Sequence, residues 1–421
     1  MKKYALAGAS SRAIDMFCVP IKEEYHDIAE VVGVMDINKQ RMKVINSYLQ
    51  KPVPMYTDYD QMLNETKPDV VIVTTKDCFH HKYIIGALDA GIDVITEKPM
   101  TIDDEKCRAI LEAEKRNDRK IIVAFNYRHA PLPRRIKELL MEKRIGEIKS
   151  VDFHWYLDTF HGADYFRRWH RRMENSGGLI VHKATHHFDL VNWFLDAEPD
   201  IVFGHGNRYF YGSTRKERGE RCLNCQYKDC CEFYWDLTKN PLNVKLYLEA
   251  EKEDGYLRDG CVFSEEIDIY DTINATIRYK NGIQLSYSLI TYAPYEGWRM
   301  SFNGTKGRLD ALEIESRPLG TEGHDFINVF SSRDEDHKIY IYPIFKPAEV
   351  VNVLKATGSH AGADPMLQKF LFLGMEFDPL NLKADSWAGA MSILIGVAIN
   401  KSIISGMPVK IDDLLGEHAK K

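Results

Sequence analysis

The sequence lacks a basic track: the net charge is -6 over 421 residues. Arg167, Arg168, Arg171 and Arg172 do cluster, but Trp169 and His170 interrupt them, the pattern of a polar pocket or interface rather than a nucleic-acid surface. No apolar run reaches membrane-spanning length by inspection, so no membrane partner is expected. Met1-Lys2-Lys3-Tyr4 leads directly into a strand pattern without the apolar core of a signal peptide, which points to the cytoplasm. There is no internal repeat or low-complexity tract. Cysteine is sparse: eight residues, four of them bunched, are too few for a disulfide scaffold and fit metal ligation or free thiols. What remains is a chain of ordinary globular composition, 44% hydrophobic and 28% charged, long enough for two domains.

The first 125 residues alternate. Short apolar or β-branched runs over 3–7, 31–35, 53–56, 70–74, 93–96 and 121–124 predict strands. Helical periodicity fills the intervals over 39–49, 58–66, 80–90 and 102–117, and a looser pattern through Ile14, Phe17 and Ile21 follows Gly8. Strand-helix alternation of this kind implies parallel strands joined by right-handed crossovers, a doubly wound sheet. Glycine is short at the first turn, Gly8-Ala9-Ser10-Ser11-Arg12-Ala13. Only the first glycine of a dinucleotide fingerprint survives there, with Ser10 and Ala13 in place of the others. Asp36 ends the second strand, where a carboxylate binds a ribose hydroxyl pair and repels a 2′-phosphate. NAD is therefore expected over NADP, although Arg41 stands nearby. The strand over 93–96 delivers Glu97-Lys98-Pro99 to the carboxyl edge, where open α/β sheets bind ligands. Thr101 is expected to cap the next helix with Asp104.

Beyond residue 125 the chemistry concentrates in two stretches. Residues 160–170 carry His, Tyr, Arg and Trp without clean periodicity and read as a substrate loop. A helix over 176–194 places His182, His186 and Asp189 at i, i+4 and i+7 on one face. Polar groups set in register on an otherwise apolar helix serve acid–base chemistry or metal ligation. In a long charged excursion over about 212–260, Cys222, Cys225 and Cys231, with Cys261 as fourth ligand, are read as a structural zinc site; His205 is a further candidate. Asn281-Gly282 reads as a type I′ hairpin turn. The glycine-rich stretch 358–364 is placed to close over a ligand, and the apolar helix 384–405 to pack back on the first domain.

The degraded glycine turn, Asp36, Thr74-Thr75 with His80, Glu97-Lys98-Pro99, Asn126-Tyr127-Arg128, Ile145-Gly146-Glu147-Ile148, and Ser176-Gly177-Gly178 through Asp189 together resemble the glucose–fructose oxidoreductase / inositol dehydrogenase (Gfo/Idh/MocA) family over nearly the whole chain. The resemblance implies an α/β fold: an NAD(P)-binding Rossmann domain over 1–125, then an α+β domain over 126–421 with a large, mostly antiparallel sheet. That second domain is expected to bind substrate and to form a homo-oligomer, a dimer or tetramer, through its sheet. The implied activity is NAD-linked oxidation or reduction of a sugar, polyol or sugar derivative. The implied cofactor-binding residues are Gly8, Ser10, Ser11, Arg12, Asp36, Thr74, Thr75, His80, Glu97 and Lys98. The implied catalytic residues are Lys98 and His186. His182 is a departure, because the usual relative has Asp there; it is read as orienting His186 or sharing its proton. Arg128, Tyr165, Arg168, Trp169, Lys183 and Asp189 are expected at the substrate. The cysteine-rich segment is an insertion that the typical relative lacks. Two alternatives stay open: a glycoside-cleaving or 3-keto-sugar enzyme that uses bound NAD transiently, and a non-catalytic sugar or nucleotide sensor on the same fold.

Overall fold

Val70–Val73 is buried at every residue, as an interior strand of a parallel sheet must be. In the computed structural model, which describes residues 1–316, 337–356 and 362–420, this strand is β4 of a six-stranded sheet. Its companions are β1 (Lys2–Ala7), β2 (Ala29–Met35), β3 (Met55–Tyr56), β5 (Asp93–Thr96) and β6 (Ile121–Val123). The order is β3-β2-β1-β4-β5-β6, and every pairing is parallel. The winding reverses between β1 and β4, which opens a crevice at the carboxyl ends of the strands. Gly8, Thr74 and Glu97 each stand one residue past the end of a strand on that edge.

The second sheet has nine strands: β7 (Ile148–Asp158), β8 (Pro199–Asn207), β9 (Thr272–Tyr279), β10 (Gln284–Ala293), β11 (Glu296–Gly304), β12 (Gly307–Ser316), β13 (His337–Pro343), β14 (Glu349–Val353) and β15 (Val409–Lys410). Their order is β14-β13-β12-β11-β7-β10-β9-β8-β15. All neighbours run antiparallel except β7 and β10. One face packs on helices through a core that includes Phe153, Trp155, Phe188 and Trp298.

Helix Ser386–Ser405 joins the two halves. Val123 donates its backbone N–H to the Ala384 carbonyl at 3.0 Å. A methyl group added at Gly389 would meet Val123 and Met100 at about 3 Å, so glycine permits this close approach. At 20 residues the helix is long and apolar enough to cross a membrane, which corrects the reading that no apolar run reaches that length; 67% of its most apolar window is buried inside the protein.

Other local expectations change. The helix after Pro99 is Asp104–Asn117, capped by Asp103, whose carboxylate accepts from the Lys106 N–H; Thr101 does not cap it. The Asn281-Gly282 turn is not type I′, because only Gly282 has positive φ, at 86°. Gly282 N–H bonds Tyr279 O while Tyr279 N–H bonds Ile283 O, a tight turn with a glycine bulge. Residues 160–170 are not a loop: they lie on helix Thr159–Arg167 and a 3₁₀ turn at Trp169–Arg171, started by Asp158 accepting from the Phe160 and His161 N–H groups. Gly358 to Ala361 lie outside the described residues.

Candidate active site

The crevice at β1 and β4 is tight at its base. Gly8 has φ of 109°, and a Cβ there would stand 2.7 Å from the Thr74 carbonyl carbon and the Thr75 nitrogen. Thr74 Oγ1 donates to Gly8 O at 2.8 Å, tying the two strand ends together. Ser10 caps the following helical turn by accepting from Ala13 N–H. The Asp36 carboxylate accepts from Ala9 N–H at 2.7 Å and Asn38 N–H at 2.8 Å, and burial raises its pKa. Ala9, Ser10, Ser11, Thr74 and Thr75 line the opening of a cavity of about 540 Å³, which extends from Asp36 to His186.

Arg12 and Glu97 meet here but are spent on each other. Arg12 Nε bonds Glu97 at 2.8 Å, and its two terminal nitrogens bond Asp364 at 2.8 and 3.1 Å. Asn126 adds a bond to Asp364 at 2.7 Å. His80 bridges the two turns below: its ring nitrogens face Pro99 O at 2.8 Å and Thr75 O at 3.0 Å, and burial lowers its pKa.

Lys98 forms the floor. The Lys98–Pro99 peptide is cis. Lys98 Nζ lies 3.3 Å from both His182 Nε2 and His182 O, and His182 Nδ1 lies 2.5 Å from Asp77 Oδ2. Burial pushes the Lys98 ammonium down to about 8, against the pull of Asp77. Burial, then the Lys98 charge, holds His182 well below the ordinary imidazole value. A neutral His182 that donates from Nδ1 to Asp77 and accepts from Lys98 at Nε2 satisfies all three groups. The expected partnership of His182 with His186 is thereby corrected: the hydrogen bonds of His182 run to Lys98 and Asp77. His186 lines the same cavity, edge-on to Phe125 and Tyr127 at 5.8 and 5.0 Å.

The helix predicted over 176–194 is two pieces, Leu179–His182 and Ala184–Leu195, which meet at Lys183. His182, Lys183 and His186 face the cavity, but Asp189 does not. Asp189 and Arg128 pair with each other instead, at 2.7 and 2.6 Å, and Arg128 also donates to Asn381 O and Lys383 O. Both are buried below the cavity wall, and neither lines it. Their expected substrate roles are corrected to a buried structural pair. Tyr165, Arg168 and Trp169 do line the cavity. Tyr165 OH is 3.0 Å from His161 Nε2, Arg168 bonds Asp164 at 3.2 Å, and Trp169 stacks on His170.

Among the cavity residues that escaped the sequence reading, two groups bear on the site. Asp77 is one; its signal was an acid directly after the fourth strand, between Thr75 and His80. The other is the cysteine-rich insertion. Asn38 Nδ2 donates to Ala250 O at 3.0 Å, Arg41 bonds Leu246 O and Asp254, and Tyr247 OH meets Ser11 Oγ at 3.3 Å. The insertion therefore covers the crevice beside Asp36, and no local pattern announces a contact more than 200 residues away.

Cys222, Cys225, Cys231 and Cys261 all line one small cavity and are all free thiols. Arg167 donates to Cys222 Sγ at 3.1 Å and Arg215 to Cys231 Sγ at 3.0 Å. Among the described residues no group of three or more His, Cys, Asp or Glu is arranged to hold a metal ion. The expected ligand shell is thus not formed; guanidinium groups occupy two of the four sulfurs. The same holds for metal binding by His182, His186 and Asp189, which the buried pairing of Asp189 precludes.

Residues 2–125, which form the parallel sheet and its crevice, match the NAD-binding Rossmann fold of an oxidoreductase family, and residues 137–411 match the C-terminal alpha/beta domain of that family. The Bacillus subtilis protein YteT, grouped with oxidoreductases, is 39% identical over 98% of this chain and 99% of its own length. Glucose-6-phosphate 3-dehydrogenase of Bacillus subtilis is 26% identical over 80% of this chain and 97% of its own. The fold is similar to that of the WlbA dehydrogenase from Bordetella pertussis, solved with NADH and UDP-GlcNAcA; the TM-score is 0.65 at 16% identity, covering 97% of this chain and 98% of that one. Two family domains in succession and a full-length relative lead to one conclusion: the chain belongs to the Gfo/Idh/MocA family of NAD-binding oxidoreductases.

Proposed function

We propose that this protein is an NAD-dependent dehydrogenase of a sugar, polyol or sugar derivative. The observation that carries the reading is a single cavity that joins the Asp36 end of the crevice to Lys98 and His186. The residues present fit the cofactor. Only glycine fits at position 8, small side chains follow it, and a half-buried carboxylate, Asp36, follows the second strand. Arg41 is engaged by Leu246 O and Asp254 rather than available to a 2′-phosphate, which favours NAD over NADP. Residues 1–125 then bind the cofactor and residues 126–421 the substrate. Assembly into a homo-oligomer through the nine-stranded sheet is supported by Tyr340, Tyr342 and Val350, apolar residues exposed on β13 and β14.

When bound, the cofactor supplies the nicotinamide that accepts or returns a hydride. His186 takes the substrate hydroxyl proton at its imidazole. Lys98 donates a hydrogen bond to the same oxygen and stabilises its developing negative charge. Asp77 and His182 are positioning residues: they fix the Lys98 ammonium and set its proton affinity. The test is NADH formation with a panel of sugars and polyols, in wild type and in Lys98→Ala.

Two further readings have an observation behind them. The insertion bonded to Ser11, Asn38 and Arg41 would slow cofactor release, which favours transient use of a retained NAD in sugar cleavage or keto-sugar chemistry. Cofactor retained through purification supports this reading. The convergence of four free thiols on one cavity favours a structural zinc, which would have to draw the sulfurs together and displace the guanidinium contacts.

A further inference from the structure

Lysine is rarely buried without a partner, because removing an ammonium from water costs several kcal/mol unless hydrogen bonds or an acid replace the water. Lys137 shows how this protein meets the requirement: at 2% exposure its ammonium donates to Trp193 O at 2.6 Å and to Asp196 at 2.7 Å. Lys183 is equally buried, at 3%, and its ammonium makes no hydrogen bond or ion pair with any described residue. Its Nζ lies 5.0 Å from the Trp155 ring centre and 5.7 Å from that of Tyr127, and the residue lines the cavity between Lys98 and His186. Aromatic faces attract a cation but leave its three donors unfilled. Among the described residues, those donors have no unpaired acid to turn to within the cavity wall. Asp36 is held by Ala9 and Asn38, Asp77 by His182, Glu97 by Arg12 and Asp254 by Arg41. Asp164 is shared by Arg168 and Arg258. The substrate end of the cavity thus carries a surplus of positive charge, from Lys183 and from two guanidiniums, Arg168 and Arg258, that share one carboxylate.

We propose that Lys183 is completed by the substrate, and that this substrate is an anionic sugar derivative whose carboxylate or phosphate bonds the Lys183 ammonium. This rests on the dehydrogenase reading for the position of the sugar but not for its charge. The position of Lys183 explains why it faces the site. It is the junction of two helical pieces, three residues before His186, and it lines the cavity with His182 and His186.

The experiment is calorimetric titration of the NAD-loaded full chain with matched pairs: glucuronate and galacturonate, glucose 6-phosphate, and the neutral sugars glucose and galactose. At least one charged member should bind roughly tenfold or more tightly than its neutral partner, as expected for a charge-assisted hydrogen bond. Lys183→Met should erase that ratio and Lys183→Arg should keep most of it. A preference for the uronates assigns a carboxylate, and a preference for the phosphate ester assigns that group. The proposal is overturned if neutral sugars bind as tightly as charged ones, if no charged member binds, or if the ratio survives in Lys183→Met. Should Lys183→Met fail to fold, the wild-type ratio and its decline with added salt decide alone. NADH formed equally well from neutral sugars would sink this inference and leave the dehydrogenase standing. Tight charged binding with no NADH from any sugar would do the reverse.

Discussion

His182 stands between Lys98 and Asp77, with its Nε2 3.3 Å from the ammonium and its Nδ1 2.5 Å from the carboxylate. The chain of three makes Lys98 the most consequential titratable group in the cavity. Burial lowers its pKa from 10.5 to about 8, and the Asp77 charge limits the fall. In the proposed mechanism the ammonium is the working form, present below about pH 8 and lost above it. The rate of sugar oxidation should therefore fall along a limb near pH 8, and Asp77→Asn should move that limb to lower pH. A profile of kcat/KM against pH for both proteins measures this. A limb that rises through pH 8 would instead make neutral Lys98 the base.

Removing Lys98 separates binding from chemistry. Lys98→Ala should lower kcat by about 10²–10³, the usual loss for a donor to a developing oxyanion. NAD affinity should change far less, because Lys98 follows β5, three strands along the sheet from the β2 end that carries Asp36. Steady-state kinetics with titration of NAD check both halves.

Arg128 and Asp189 should act on stability. Their bidentate pair is buried, so Asp189→Asn leaves a guanidinium without its counter-charge and should cost about 3–5 kcal/mol. Chemical denaturation reads this directly. The folded variant should retain NAD binding, since neither residue lines the cavity.

The insertion should govern cofactor exchange. Asp254→Ala frees Arg41 from its ion pair at 2.7 Å and weakens the cover beside Asp36. Stopped-flow displacement should show NAD leaving about tenfold faster, the worth of one charge-assisted hydrogen bond. The freed Arg41 should also narrow the preference for NAD over NADP.

Metal content tests the thiol cluster. Under the zinc reading the purified protein carries zinc, and chelation loosens the insertion and speeds NAD release. Protein free of zinc with unchanged NAD kinetics contradicts that reading.

Much of the fold was legible because its signals are local. Val70–Val73, Asp93–Thr96 and the helices between them follow from hydrophobic periodicity and caps. Lys98 and His186 were legible because motif and helical spacing bring them forward, and they share a cavity. What sequence could not give was partnership. Spacing puts His182 and Asp189 on one helical face, yet in the structure one turns to Lys98 and the other to Arg128, a choice made by elements 84 and 61 residues away. The stretch 160–170 looked irregular because aromatic and basic residues within it line the cavity, while Asp158 supplies the cap that starts its helix. The role of the insertion was hidden for the same reason, since its partners Asn38 and Arg41 lie in the first domain.

The most direct test is NADH accumulation when the protein, supplied with excess NAD, meets the sugar and polyol panel. The account predicts that at least one sugar drives NADH well beyond the amount of protein present, and that Lys98→Ala abolishes most of it. Sugar cleaved or rearranged with no NADH beyond that held by the protein would contradict it.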